Sequence, residues 1–141
     1  MPANPQHKTW VEISSAALAS NIDNLRSVLK PGVEFCAVIK SNAYGHGLRE
    51  VARLALRAGV KTFAVDNVDE ALALRAIDPT ITIIILGASL PARLPEVVAG
   101  KFVQVVYDPE TVMALAEAAR SLGVAAEVTL KIETGLNRQG V

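Results

Sequence analysis

Short apolar runs alternate with amphipathic segments along almost the whole chain, and this alternation restricts the fold more than any other feature. Residues 16–30 predict a helix, because Leu18, Ile22 and Leu25 recur at steps of three and four residues. Five apolar runs then predict strands, at 35–39, 62–65, 81–86, 102–107 and 126–132. Helical spacing follows the first four, at 51–58, 68–76, 93–99 and after Asp108. The pattern is therefore a repeated strand-helix unit.

Strands that are apolar on both faces and alternate with helices indicate a parallel sheet covered on both sides. Two architectures fit this α/β pattern, a closed (β/α)8 TIM barrel and an open doubly wound sheet, and periodicity alone does not separate them. A full barrel needs about 250 residues, so 141 residues supply about half of one. Unless something completed such a barrel, its first and last strands would keep unpaired edges, which favour association.

The composition excludes several classes of protein. With 51% hydrophobic and 20% charged residues, the chain is typical of a globular protein. The 14 basic and 14 acidic residues cancel, and no basic cluster is interleaved with aromatics, so we expect no nucleic-acid partner. No apolar run approaches the roughly 20 residues of a membrane span, and the polar start from Met1 to Trp10 lacks a signal-peptide core. We therefore expect a cytoplasmic protein without a membrane partner.

Lys40 stands at the end of the first predicted strand, before a loop that contains Gly45 and Gly47. The reactive groups of parallel α/β proteins gather at the carboxyl ends of their strands. A lysine amine at that end can form an imine with an aldehyde, and the glycines allow a ligand to approach the backbone. Alternatively, Lys40 extends to solvent from the strand end and the glycines only shape a turn. Spacing alone leaves both readings open.

Segment 37–47 reads Ala-Val-Ile-Lys-Ser-Asn-Ala-Tyr-Gly-His-Gly and is similar to the pyridoxal-phosphate motif of alanine racemases. Further segments agree with that family in order and spacing, at 9–13, 69–75, 85–89 and 131–141. The chain thus resembles the N-terminal part of a pyridoxal-phosphate-dependent alanine racemase over nearly its whole length. The resemblance implies the barrel rather than the open sheet, with residues 1–141 supplying about its first half. The second half of the barrel and a separate C-terminal β domain would lie outside this chain.

The activity implied by the resemblance is an isomerase reaction that interconverts L- and D-alanine with pyridoxal 5'-phosphate as cofactor. Lys40 would hold the cofactor and then act as the base on one face of the substrate α-carbon. In the family a tyrosine from the partner subunit's second domain serves the opposite face, and that tyrosine is not in this chain. A homodimer follows from this arrangement. D-alanine made in this way would supply peptidoglycan precursors in the cytoplasm.

Other site residues are implied by the same resemblance. Tyr44 would hydrogen-bond the cofactor phosphate, and Val38 and Leu86 would contact the cofactor ring. Arg138 would lie near the substrate carboxylate and the cofactor's phenolic oxygen, since its planar guanidinium suits such acceptors. Lys131 is often carboxylated in the family, and if it were buried beside Arg138 an unmodified lysine would meet like-charge repulsion. The structural alternatives are core packing for Val38 and Leu86, a half-buried aromatic for Tyr44 and an exposed amine for Lys131.

The remaining polar residues are interpreted as structural. Cys36 stands alone, which excludes an intramolecular disulfide and a site of paired cysteines; we expect it to be buried, and we expect no metal. His46 is expected to make a local hydrogen bond and Asp108 to cap a helix. The acidic residues within 66–70 are expected to form a solvated turn and a helix start.

Two departures from the family pattern bear on substrate preference. Glu133 stands where the family usually has aspartate, and Asn137 and Gln139 replace a smaller and an apolar residue on either side of the arginine. Broad-specificity and serine-acting racemases share the same scaffold. Two further functions stay open: a pyridoxal-phosphate carrier that catalyses no racemisation, and an inactive fragment that acts only as an association module.

Overall fold

The computed structural model describes residues 8–141, in which strands and helices alternate. The strands are β1 (Cys36–Val38), β2 (Thr62–Val65), β3 (Thr82–Ile85), β4 (Val103–Val106) and β5 (Glu127–Leu130). The helices are α1 (Ser15–Ser27), α2 (Lys40–Tyr44), α3 (Leu48–Arg57), α4 (Val68–Arg75), α5 (Leu94–Ala99) and α6 (Pro109–Leu122), with a 3-10 helix at Pro91–Arg93. None of these helices is long and apolar enough to cross a membrane. The predicted polar start lies mostly outside the described residues.

Local sequence signals set most of these boundaries. All five predicted strands are present, and the helix predicted for 16–30 ends earlier, at Ser27. The hydroxyl of Ser14 accepts a hydrogen bond from the N–H of Ala17 at 3.2 Å and so caps α1. The carboxylate of Asp108 accepts one from the N–H of Thr111 at 2.7 Å, and this bond helps to hold the pKa of Asp108 below its ordinary value. The prediction that Asp108 caps a helix is therefore confirmed.

The five strands form one parallel sheet in the order β1-β2-β3-β4-β5. In a doubly wound sheet the strand order reverses at a switch point. The described strands show no reversal, because each new strand pairs with the one before it at the same growing edge. The structure thus decides between the two architectures that periodicity left open, and it confirms the predicted partial barrel.

The core lies between the sheet and the helices. Its largest side chains are each less than 2% exposed and include Phe63, Leu74, Ile83, Ile85, Phe102 and Leu115. Burying a side chain of this size stabilises a fold by roughly 1.5–3 kcal/mol. At the C-terminal end of α4, the guanidinium of Arg75 lies 5.4 Å from the centre of the Phe102 ring and donates to the carbonyls of Ile81 and Gly100. Arg75 thereby ties α4 to the loops beneath β3 and β4.

The two edge strands are less buried than the central ones. All four residues of β2 are buried, whereas all four residues of β5 are exposed. Cys36 was expected to be buried but is only half-buried, because β1 pairs on one side only among the described strands. Beside β1, an apolar groove of about 470 Å³ is lined by residues that include Leu18, Ile22 and Phe35. Within residues 8–141 the sheet ends in unpaired edges on both sides, as predicted for an unclosed barrel.

Candidate active site

The loops that follow the strands enclose a cleft of about 570 Å³ at the carboxyl end of the sheet. It brings together Lys40 after β1, Asp66 after β2, Leu86 after β3, and Lys131, Arg138 and Gln139 after β5. Four of these residues, Lys40, Leu86, Lys131 and Arg138, were singled out from the sequence. Parallel strands all end at one edge of the sheet, and residues far apart in sequence therefore meet here.

Lys40 forms an ion pair across this cleft. Its Nζ lies 3.2 Å from Oδ1 of Asp66, and the two side chains are 32% and 48% exposed. The amine is therefore held in one place but remains within reach of a ligand in the cleft. Sequence reasoning missed Asp66 as a site residue. The available signal was its position, because it is the first residue after β2, as Lys40 closely follows β1.

The segment after Lys40 adopts an unusual backbone conformation. Residues 41–44 have φ between 52° and 56°, so α2 is a left-handed turn built without glycine. Left-handed helical conformation costs roughly 1–2 kcal/mol for each L-residue other than glycine. Hydrogen bonds from the N–H of Ala43 to Ile39 at 2.9 Å and from that of Gly45 to Ser41 at 3.2 Å close the turn. The sequence predicted only a glycine-bearing loop at this position.

His46 and Asn42 complete this turn with local contacts. Nδ1 of His46 lies 2.8 Å from the carbonyl oxygen of Ala43, as expected of a local hydrogen-bonding residue. The side-chain oxygen of Asn42 accepts the N–H of Leu48 at 2.8 Å, at the start of α3. The turn is thus joined to the helix that follows it.

Glu70, on the first turn of α4, reaches the backbone of two loops. One carboxylate oxygen accepts the N–H of Asn42 at 2.9 Å, and the other accepts the N–H of Asp66 at 3.0 Å. The acidic turn is therefore only partly solvated, because the half-exposed Asp66 and Glu70 carboxylates also contact neighbouring loops, and the predicted helix start is present at Val68. The segment 69–75 is similar to the family, but its sequence does not indicate which group Glu70 contacts. That contact depends on the position of the loop after β1, which lies 28 residues away in sequence.

A buried amide supports the loop after β3. Gln104 on β4 is fully buried, and its Nε2 donates to the carbonyl of Gly87 at 2.8 Å while its Oε1 accepts from the hydroxyl of Ser89 at 2.7 Å. Gly87 in turn donates its N–H to the carbonyl of Asp66 at 3.0 Å. The loop that carries Leu86 is thereby tied to the loop that carries the partner of Lys40. Sequence reasoning missed Gln104; its signal was a polar residue inside an apolar strand.

The loop 133–140 presents Arg138 to the cleft. The Glu133 carboxylate accepts backbone N–H groups of this loop, including those of Gly135 at 2.5 Å and Arg138 at 3.2 Å. Hydrogen bonds from backbone N–H groups lower the pKa of Glu133 to about 2. The bond from Asn137 contributes most, and the bond from Gly135 comes next. Glu133 therefore organises the backbone of this loop.

Lys131 and Arg138 share the cleft but differ from the arrangement considered above. Lys131 is half-buried and Arg138 is exposed. Repulsion between two buried cations was the reason to expect a carboxylated Lys131, and only part of that burial is present. Val38 and Tyr44 lie outside the cleft and line the apolar groove along the open edge of β1, where they are 44% and 60% exposed. The structure thus brings Lys40, Leu86, Lys131 and Arg138 together and leaves Val38 and Tyr44 apart from them.

Comparisons with known proteins identify relatives of this chain in sequence and in fold. Residues 13–141 match the family model described as alanine racemase, N-terminal domain. The chain is 38% identical over 136 residues to the alanine racemase of Leptospira interrogans, covering 95% of this chain and 34% of that protein. It superposes on the alanine racemase of Clostridium difficile 630, in complex with cycloserine, with a TM-score of 0.83, 36% identity and coverage of 87% and 34%.

A more distant structure is PipY of Synechococcus elongatus, determined with PLP bound. It has a TM-score of 0.74 and 25% identity, with coverage of 88% of this chain and 58% of PipY. The chain spans about a third of the length of the curated relatives that it matches.

Proposed function

Because the chain belongs to the alanine racemase N-terminal domain family, we propose that it supplies the cofactor-lysine half of the active site of a pyridoxal-phosphate-dependent alanine racemase. The observation that carries the proposal is the cleft in which the Lys40 amine shares space with Lys131 and Arg138. An amine beside the Arg138 guanidinium suits an anionic aldehyde and a substrate carboxylate. The reaction proposed for the whole protein is the interconversion of L- and D-alanine.

The described residues fit pyridoxal 5'-phosphate by size and by donor chemistry. The cleft volume of about 570 Å³ falls within the roughly 300–1,000 Å³ of small-molecule sites. Nζ of Lys40 is reachable, and Leu86 supplies an apolar wall. When bound, the cofactor supplies an electron sink for negative charge that develops at the substrate α-carbon. Phosphate contacts from Tyr44 would have to form at the β1 edge, where the rest of a barrel would close the site.

Each residue has a separate proposed role. Lys40 attaches the cofactor and then removes or returns the α-proton on one face of the substrate. Arg138 binds the substrate carboxylate through its planar guanidinium and contacts the cofactor's phenolic oxygen. Leu86 confines the cofactor ring inside the cleft. Val38 and Tyr44 line the groove at the β1 edge and would contact the ring and the phosphate from there once the rest of a barrel closes the site. Lys131, if carboxylated, would become an anion that holds Arg138.

We propose that residues 1–141 form the N-terminal part of the barrel in a longer, homodimeric protein. The open edges of β1 and β5 support this, because a closed barrel would pair both. The opposing base would come from a tyrosine of the partner subunit's second domain. A cytoplasmic role in supplying D-alanine for peptidoglycan precursors belongs to the same proposal.

A pyridoxal-phosphate carrier is the alternative, supported by the likeness to PipY with PLP bound. Such a carrier needs the lysine but neither an opposing base nor a group for the substrate carboxylate. The loop that presents Arg138 beside Lys131 favours the racemase. The unpaired edges also keep a third function open, in which the 141-residue chain alone only associates with other chains.

The first experiment measures attachment of the cofactor at Lys40. We expect added pyridoxal phosphate to give a visible absorption band and, after borohydride reduction, a mass increase on the peptide that contains Lys40. Lys40→Ala should lose both signals, whereas Lys61→Ala, at an exposed lysine elsewhere, should keep them. Absence of the band in the wild-type protein would refute both cofactor functions.

The second experiment separates a racemase from a carrier. A racemase exchanges the α-proton of alanine for deuterium in heavy water with inversion of configuration, and a carrier does neither. Serine measured in parallel tests substrate preference.

For Lys131, an intact-mass increase that is lost after acid treatment would support carboxylation, and an unmodified mass in bicarbonate buffer would oppose it.

A further inference from the structure

We propose that Glu70 is a positioning residue that holds the left-handed turn after Lys40 and thereby directs the lysine amine into the cleft. This inference rests on the proposed role of Lys40, but the structural part of it can be tested without any cofactor. Glu70 belongs to the segment 69–75, which is similar to the family yet has no role in the chemistry described above. Its carboxylate is half-buried between the loops that follow β1 and β2.

The turn needs support from outside itself. Residues 41–44 all have left-handed backbone conformations, which persist only when the surrounding structure holds them. The bonds within the turn and to the start of α3 are local in sequence. The Asn42 N–H, by contrast, is held by Glu70, 28 residues away on a different element. Glu70 therefore supplies a long-range hydrogen bond that ties the backbone of the turn to α4, beside the Lys40–Asp66 ion pair and the buried side chain of Ala43.

The second carboxylate oxygen of Glu70 acts on the partner of the lysine. It accepts the N–H of Asp66, whose own carboxylate lies 3.2 Å from Nζ of Lys40. One carboxylate thus holds the backbone next to each member of the ion pair. Because the two N–H groups come from different loops, their relative position depends on both oxygens accepting at once.

Helix capping explains only part of this arrangement. The N–H of Glu70 is already capped by the side chain of Asn67 at 3.0 Å, and Oε2 of Glu70 reaches back to the N–H of Asp66, next to that cap, much as in a capping box. The bond from the N–H of Asn42 to Oε1, across 28 residues, is the contact that capping leaves unexplained. Asp69 lies beside it on the same first turn and faces the helix dipole in the same way. Asp69 pairs with Arg93, and its side chain is 78% exposed. Asp69→Asn therefore removes an equal charge from the same turn without touching the turn after Lys40.

The substitution Glu70→Gln tests the inference because it keeps the shape of the side chain. An amide offers one oxygen and one NH₂ group, so one of the two backbone N–H groups would face a donor in place of an acceptor. The comparison is made in the whole polypeptide that carries this sequence. Amide hydrogen exchange across residues 41–45 and the rate of covalent attachment of pyridoxal phosphate to Lys40 are measured for wild type, Glu70→Gln and Asp69→Asn.

We expect Glu70→Gln to speed amide exchange across residues 41–45 and to slow attachment of pyridoxal phosphate at Lys40. Each rate should change by about tenfold or more, because a hydrogen bond to a charged group is lost. Asp69→Asn should leave both rates within about twofold of wild type, as for an exposed surface ion pair. Glu70→Gln rates equal to those of Asp69→Asn would overturn the inference. If Glu70→Gln does not fold, the wild-type amides of Asn42 and Asp66 are measured by NMR. Protection of both supports the inference, and free exchange of both refutes it.

These outcomes separate the inference from the proposed function. If wild type binds no pyridoxal phosphate but Glu70→Gln still loosens the turn, the proposed function fails and the positioning role stands. If wild type binds the cofactor and Glu70→Gln leaves both rates unchanged, the positioning role fails and the proposed function stands.

Discussion

Replacing Gly87 with alanine should disturb the loop beside Lys40 through a direct steric contact. A Cβ at this position would lie 2.5 Å from the carbonyl oxygen of Asp66, and real Cβ contacts are essentially never shorter than 3.0 Å. The obstacle is backbone, so no side-chain rotation relieves it. The hydrogen bond from the N–H of Gly87 to that same carbonyl, now 3.0 Å, would have to open.

The size of the effect follows from these two contributions. Inserting a methyl group into a filled space costs about 1–3 kcal/mol, and the lost backbone hydrogen bond adds about 0.5–1.5 kcal/mol. We therefore expect the free energy of unfolding, measured by urea denaturation, to fall by about 1.5–4.5 kcal/mol, the sum of the two ranges. Because the displaced Asp66 is the ion-pair partner of Lys40, attachment of pyridoxal phosphate at Lys40 should also slow, by about tenfold for a shift of a few tenths of an ångström.

Gly100→Ala provides the matched control. A Cβ added at Gly100 would clash with the buried ring of Phe102, so this variant should also destabilise the fold, but Gly100 follows α5 and lies outside the Lys40 cleft. The control should lose stability and keep the wild-type rate of attachment. The reasoning is refuted if Gly87→Ala unfolds at the wild-type urea concentration, or if it loses stability while attachment proceeds at the rate of Gly100→Ala.

Two further predictions concern buried and charged groups near the cleft. Gln104→Leu removes the amide that hydrogen-bonds the hydroxyl of Ser89 and the carbonyl of Gly87. It should lower the free energy of unfolding by about 1–3 kcal/mol, because these polar groups lose their partner. An unchanged urea midpoint would contradict this. The pKa of Glu133 is lowered to about 2 from 4.5, so its carboxylate supports the loop fully above pH 4.5 and loses that support as the pH falls toward 2. NMR of the amide of Arg138 should follow this transition, and Glu133→Gln should abolish it; a Gln variant with the same pH profile would show that another group titrates.

The chemistry of the site divides into residues that a motif indicates and residues that only contacts reveal. Lys40, Lys131 and Arg138 belong to segments whose residue order resembles a family, and they were placed in one cleft as expected. Asp66 and Glu70 were assigned to a solvated turn, because a carboxylate near a helix start has the same local signature whether it faces water or a neighbouring loop.

The sequence alone determined the succession of strands and helices, the helix caps and the position of Lys40 at a strand end. These features follow from spacing and hydrogen bonds within a few residues, as at Asp108 and Thr111. Only the tertiary structure decided the strand order, the left-handed turn and the contacts of Lys40. The Lys40–Asp66 pair spans 26 residues and the Asn42–Glu70 bond spans 28, so both depend on the register of β1 against β2. Local propensity carries no information about that register, because it acts over single turns, whereas the register is set by the packing of whole elements.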